Sequence, residues 1–68
     1  MVNTNLLKGK MAEKGITQEK LASLLHTSPK TLRSHFSAAC FDSNEIYTMI
    51  KELDITNIKE IFFADEIA

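Results

Sequence analysis

The sequence contains few of the residues that cross-link or interrupt a chain: its 68 residues include one cysteine, one proline, two glycines and no tryptophan. A single cysteine excludes an internal disulfide, and so little proline and glycine argues against a disordered or repetitive chain. No apolar run approaches the length of about 20 residues needed to cross a bilayer, and no basic N-terminal segment precedes an apolar one. We therefore expect one folded cytoplasmic domain over residues 1–68, with no membrane partner.

The chain also lacks a large excess of charge of one sign, since its formal net charge is −1. The charges are nevertheless separated along the sequence. Residues 1–36 carry six basic and two acidic side chains, a net +4, whereas residues 37–68 carry two basic and seven acidic side chains, a net −5. A positive half can face phosphates while the acidic half points away or meets another protein. The alternative is that these charged side chains lie on solvated helix faces and bind no partner.

Apolar spacing and helix-ending residues divide the chain into five short predicted helices. The first begins at Thr4 or Asn5 and runs to Lys14, with Gly15 placed to end it, and the fifth spans about residues 57–62. The fourth begins at Asp42, which with Glu45 matches an acidic variant of the capping box. Apolar side chains at helical spacing are expected to form the core: Leu7, Met11, Leu21, Leu24, Leu25, Leu32, Phe36, Ile46, Met49, Ile50 and Leu53, with Ile58, Ile61 and Phe62 apolar on the fifth helix.

The segment from Thr17 to Phe36 holds two of these helices, joined by a turn of about three or four residues. Thr17 is suited to cap the first helix, and Ser28 followed by Pro29 is suited to open the second, since proline's missing N–H costs nothing at a first helical position. The pattern predicts a helix-turn-helix, whose second helix fits the major groove of DNA. Basic and hydroxyl side chains are expected on the outer side of that helix: Lys30, Thr31, Arg33, Ser34 and Ser37.

Three segments resemble the small Cro/repressor-type helix-turn-helix proteins of bacteriophages: residues 16–25 (ITQEKLASLL), 27–36 (TSPKTLRSHF) and 41–53 (FDSNEIYTMIKEL). The resemblance extends over residues 6–62. It implies an all-α fold, a compact five-helix bundle of the lambda-repressor-like type. It also implies a regulator of a phage or prophage genetic switch that binds double-stranded operator DNA, with a homodimer as its expected form on a palindromic site.

The resemblance further implies roles for single residues. Gln18, after the helix-opening threonine, is expected to contact a phosphate and to brace the second helix. Arg33 is expected to set base preference, because its planar guanidinium can bond both O6 and N7 of guanine. The expected DNA-binding set comprises Pro29, Lys30, Arg33 and Ser34 on bases and Gln18, Thr31 and Ser37 on phosphates, together with the cap residue Ser28.

The histidines and the cysteine have simpler expected roles. His26 occupies a turn position that is usually glycine in the family, and a histidine can adopt the left-handed backbone there at a modest penalty. His35 is expected at the edge of the core, and Cys40 as a small buried apolar residue near a helix end. Because neither histidine has further ligands at metal spacing and the thiol has no adjacent base, we expect no metal, no cofactor and no enzymatic activity.

Two alternatives stay open in the sequence. The tail, residues 63–68, can dock back on the bundle or pair with a second copy as a strand or extended arm. The same fold can also serve a second function, that of an antirepressor that binds a phage repressor protein and blocks its DNA-binding face. The net −5 of residues 37–68 and the presence of only two full positive charges on the second helix favour this function.

Overall fold

Five α-helices and one short 3₁₀ helix make up the computed structural model, which describes residues 1–66. The prediction of an all-helical chain is confirmed for these residues, which contain no strand. None of the helices in this range is long and apolar enough to cross a membrane. The elements are α1 (Thr4–Lys14), α2 (Gln18–Leu24), α3 (Pro29–Ala38), α4 (Ser43–Glu52) and α5 (Ile58–Phe62), followed by the 3₁₀ helix (Ala64–Glu66).

Local capping chemistry sets the helix boundaries. The first four helices each begin at a side chain that accepts a backbone N–H bond, which satisfies a donor that the helix itself leaves free. Gly15 ends α1 in the left-handed conformation, with a φ of 65°. The predicted capping box of α4 is complete, since Asp42 and Glu45 each accept a backbone N–H from the other. The four capping residues are Asn3, Thr17, Ser28 and Asp42.

Each helix contributes one row of apolar side chains to the core. Its fully buried large side chains are Leu7, Leu21, Leu32, Met49, Leu53 and Ile61. Val2 and Ile55 are also buried, although both lie outside the helices, where helical spacing predicts nothing. Leu24 and Leu25, predicted as core, are only half-buried because they lie at the end of α2 beside the turn.

Cys40 is exposed, so the prediction that it fills a buried gap is wrong. The cause lies one residue earlier. Ala39 ends α3 in the left-handed conformation with a φ of 53°, which redirects the chain. Phe41 then occupies the core position, 8% exposed, and its ring meets that of Phe36 edge-on at 5.3 Å between centroids.

The two ends of the described chain lie together. The Asn3 N–H donates to the Ile61 carbonyl at 2.6 Å, and the N-terminal ammonium of Met1 donates to the Asp65 carboxylate. That hydrogen bond lowers the pKa of Asp65 below its ordinary value. Of the predicted tail, residues 64–66 form the 3₁₀ helix rather than a strand or an extended arm, while residues 67 and 68 lie outside the described residues.

Candidate nucleic-acid interface

The connection between α2 and α3 is a tight turn with a left-handed residue in it. His26 has a φ of 56°, the conformation expected for this position. The backbone N–H of His26 donates to the Ser23 carbonyl at 3.1 Å, and that of Thr27 donates to the Ala22 carbonyl at 2.9 Å. These bonds satisfy carbonyls at the end of α2, and they turn the chain so that α3 begins at Pro29 and packs against α2.

Helix α3 has an apolar inner side and a polar outer side. Leu32 and Phe36 are buried, 0% and 8% exposed, as the four-residue spacing predicts. Among the side chains of residues 1–65, neither Lys30 nor Arg33 forms an ion pair with the acidic half of the chain. Both cations are therefore available to an external anion. The predicted residues of this helix and its cap are all exposed: Ser28, Pro29, Lys30, Thr31, Arg33, Ser34 and Ser37.

Side chains from three helices meet in a groove of about 250 Å³ beside Arg33. Gln18 from α2 and Ser37 from α3 line it, so the structure places three of the predicted residues side by side. Lys8 from α1 completes the groove, with its Nζ 5.6 Å from the centroid of the Phe36 ring, a cation–π geometry. The sequence indicates Lys8 only as one of the basic side chains of residues 1–36, because the packing of α1 beside α3 depends on contacts distant in sequence.

The start of α3 holds a second polar group. Ser28 Oγ accepts the backbone N–H of Thr31 at 3.1 Å and donates to Thr31 Oγ1 at 2.9 Å. The hydroxyl of Ser28 is therefore engaged in capping, while that of Thr31 still has a hydrogen to donate. Lys30 and Ser34 lie outside the groove, so the predicted set divides between that groove and the exposed outer side of α3.

One pairing beside this surface was not predicted. His35 Nδ1 lies 2.9 Å from Glu45 Oε2, which joins α3 to the first turn of α4. Glu45 is 7% exposed, although the sequence assigned it only a capping role. Its second contact spans ten residues, and no local signal in the sequence indicates such a pairing.

Between residues 1 and 65, no three histidine, cysteine, aspartate or glutamate side chains come together in an arrangement suited to a metal ion. No protein-family model, curated protein or solved structure matches the chain.

Proposed function

We propose that this protein is a sequence-specific DNA-binding transcriptional regulator of a phage or prophage genetic switch. In this proposal α2, its turn and α3 form a helix-turn-helix within a bundle of the lambda-repressor-like type. One observation carries the proposal: α3 buries its apolar side against the core and leaves Lys30 and Arg33 exposed on the other. An exposed cationic helix held in this way has the dimensions and charge to enter a major groove.

Base reading falls to the outer side of α3. Arg33 carries two parallel donors that match the O6 and N7 acceptors of guanine, a contact that discriminates by about 1–3 kcal/mol against other bases. Lys30 is a point charge that serves a base or a phosphate, and Ser34 offers a hydroxyl near the same side. Pro29 contributes apolar contact, of the kind that a thymine methyl group accepts.

Phosphate contacts fix the position of the helix. The groove formed by Lys8, Gln18 and Ser37 lies beside Arg33 and offers an ammonium, an amide and a hydroxyl to a backbone phosphate. Thr31 supplies one more hydroxyl donor near the start of α3. Such contacts carry no sequence information, but they set the register from which Arg33 reads a base.

A single copy makes few contacts, so useful affinity is expected from a homodimer on a palindromic operator. Its two half-sites would be centred about one helical turn apart, ~34 Å. Occupancy of such a site blocks or redirects RNA polymerase, and the location of the operator places the protein in the bacterial cytoplasm.

Selection from a random duplex library, followed by gel-shift titration over a salt series, tests this function. We expect a recovered consensus and an affinity that falls steeply with salt, because bound phosphates release counterions. Arg33→Ala should weaken binding to the consensus about tenfold or more and relax one base position. Lys51→Ala, which removes an exposed cation from the last turn of α4, is the matched control and should leave the consensus unchanged. Absence of any consensus contradicts the proposal, and so does an Arg33→Ala variant with unaltered preference.

The antirepressor function is the second candidate, and the exposed side chains of the acidic half favour it. Tyr47 is 70% exposed on α4, and Phe63 is 40% exposed after α5. Aromatic side chains of this kind are enriched where proteins bind one another. In this case the chain binds no DNA even at low salt, and instead it co-purifies with a phage repressor from nuclease-treated lysate and prevents that repressor from binding its operator.

A further inference from the structure

Glu45 is a buried carboxylate whose two oxygens are both engaged. Oε1 accepts the backbone N–H of Asp42 at 2.9 Å, which is half of the capping box. Oε2 lies 2.9 Å from His35 Nδ1 on the neighbouring helix. A carboxylate is stable in such a place only when hydrogen bonds replace the water it has lost. Because the carboxylate accepts, His35 Nδ1 carries the proton that is donated.

The imidazole of His35 is held on more than one side. The ring of Phe41 meets it edge-on, at 5.9 Å between centroids and an interplanar angle of 88°. The side chain of His35 is 33% exposed, in contrast to 9% for that of Glu45. Its ring plane is therefore fixed by a hydrogen bond at one atom and by an aromatic contact at another.

A hydrogen bond at this position restricts rotation of α3 about its own axis more sharply than apolar packing does. Leu32 and Phe36 hold α3 against the bundle, but apolar contact has no preferred direction and tolerates rotation of the helix about its axis. A hydrogen bond weakens steeply as its angle departs from linear. Successive residues on a helix are about 100° apart, so Arg33 and His35 project to nearly opposite sides of α3. Any rotation that breaks the bond of His35 swings Arg33 through the same angle.

We propose that His35 and Glu45 are positioning residues: their hydrogen bond fixes the rotation of α3, and base reading by Arg33 depends on it, although neither residue touches DNA. This inference rests on the proposed function. It concerns specificity rather than attraction, because non-specific binding to phosphates depends on charge and tolerates a rotated helix.

Three substitutions of His35 test the inference. Asparagine places its amide N–H where Nδ1 lies, so His35→Asn can still donate to Glu45 Oε2. Glutamine places its amide near the position of Nε2, so His35→Gln keeps a polar side chain without the bond, and His35→Ala removes both. Each variant is titrated against the selected operator and against unrelated duplex at one salt concentration. Glu52→Ala removes an exposed carboxylate from the same helix as Glu45 and is the matched control.

We expect His35→Asn to keep its operator affinity within about threefold of the parent chain, and His35→Gln and His35→Ala to lose about tenfold or more. Affinity for unrelated duplex should change by less than about twofold in all of them, since the charges on α3 are intact. Equal losses for Asn and Gln overturn the inference, as do parallel losses on both kinds of DNA. If His35→Ala does not fold, the comparison of Asn with Gln decides by itself.

A second measurement separates this inference from the proposed function. Long-range ¹H–¹⁵N spectra of the free protein should show a proton on Nδ1 of His35, and exchange of the α3 amides should be faster in His35→Gln than in His35→Asn. If the parent chain has no DNA preference but these results hold, the proposed function is wrong, and so is the role of Arg33 in reading bases. The conclusion that His35 and Glu45 fix the rotation of α3 is then still supported. If DNA is bound specifically but both variants exchange alike, the inference alone is wrong.

Discussion

Three of the described residues other than glycine have a positive φ, and each lies at a change of chain direction. His26 follows α2, Ala39 follows α3 and Asp54 follows α4, with φ values of 56°, 53° and 51°. An L-residue in this region is strained by roughly 1–2 kcal/mol. A domain of this size is marginally stable, so strain of this order is a sizeable fraction of its free energy of unfolding.

Ala39→Gly should stabilise the protein by about 0.5–1 kcal/mol, because relief of the left-handed strain exceeds the added entropy of the unfolded chain. Urea denaturation followed by circular dichroism measures this difference. Ala38→Gly is the matched control, since the same change one residue earlier lies within α3 and should destabilise by up to about 1 kcal/mol. If the two variants shift stability in the same direction, the assignment of the left-handed residue to Ala39 is wrong.

The sequence distinguished the first of these turns but not the second. His26 was expected in the left-handed conformation because the resemblance places it at a turn position that is usually glycine. Ala38 and Ala39 are chemically identical, so nothing local shows which of them ends α3. For the same reason the exposure of Cys40 could not be predicted, because the orientation of its side chain depends on which alanine ends α3.

At the scale of elements, α4 begins with a reciprocal cap and α5 does not. Asp42 accepts the Glu45 N–H at 2.7 Å, whereas Asn57 caps α5 without a side-chain hydrogen bond and has a buried Oδ1 that lacks a partner. Asp42 and Asn57 therefore make opposite contributions to the stability of the fold. A satisfied cap stabilises its helix, and a buried acceptor without a partner destabilises the fold.

Asp42→Ala should lower the free energy of unfolding by about 1 kcal/mol, within the usual range for loss of an N-cap. Asn57→Ala removes an unsatisfied acceptor and should be neutral or slightly stabilising, within about 0.5 kcal/mol. Thermal and urea denaturation of both variants under one set of conditions make the comparison. A loss at Asn57 as large as that at Asp42 would show that the N-cap of α5 is satisfied in solution.

Helix boundaries were predictable because capping is local, whereas contacts between helices were not. The caps Thr17, Ser28 and Asp42 each bind backbone within three residues, and a short window of sequence contains both partners. Lys8 beside Arg33 and His35 beside Glu45 depend on how whole helices pack. The sequence therefore identified the outer side of α3 but not the groove beside it or the bond behind it.

At the scale of the whole molecule, charge is separated along the sequence, but in space Asp42 and Glu45 of the acidic half lie beside Ser34 of α3. The basic residues of the first half include those around α3, and the second half carries a net −5. Acidic side chains that approach DNA are repelled, so the proposed docking of α3 must keep Asp42 and Glu45 away from the phosphates. Two copies bound to half-sites one helical turn apart present α3 on the same face of the duplex.

Half-site spacing should therefore govern affinity for the operator. Insertion of about 5 base pairs between the half-sites rotates one of them to the opposite face of the duplex and should weaken binding at least about tenfold, whereas insertion of about 10 base pairs restores the face. Gel-shift titration of the three operators measures the effect. The same affinity for all three would mean that the chain binds as independent single copies.

The exposed thiol of Cys40 is a natural site for attaching a spectroscopic label in these experiments. It is the one cysteine in the sequence, and it lies two residues beyond the end of α3. A spin label or fluorophore attached there needs no mutation and leaves the cationic side of α3 untouched. On a palindromic duplex, two such labels would sit symmetrically about the dyad, so the distance between them reports directly how the two reading helices are spaced.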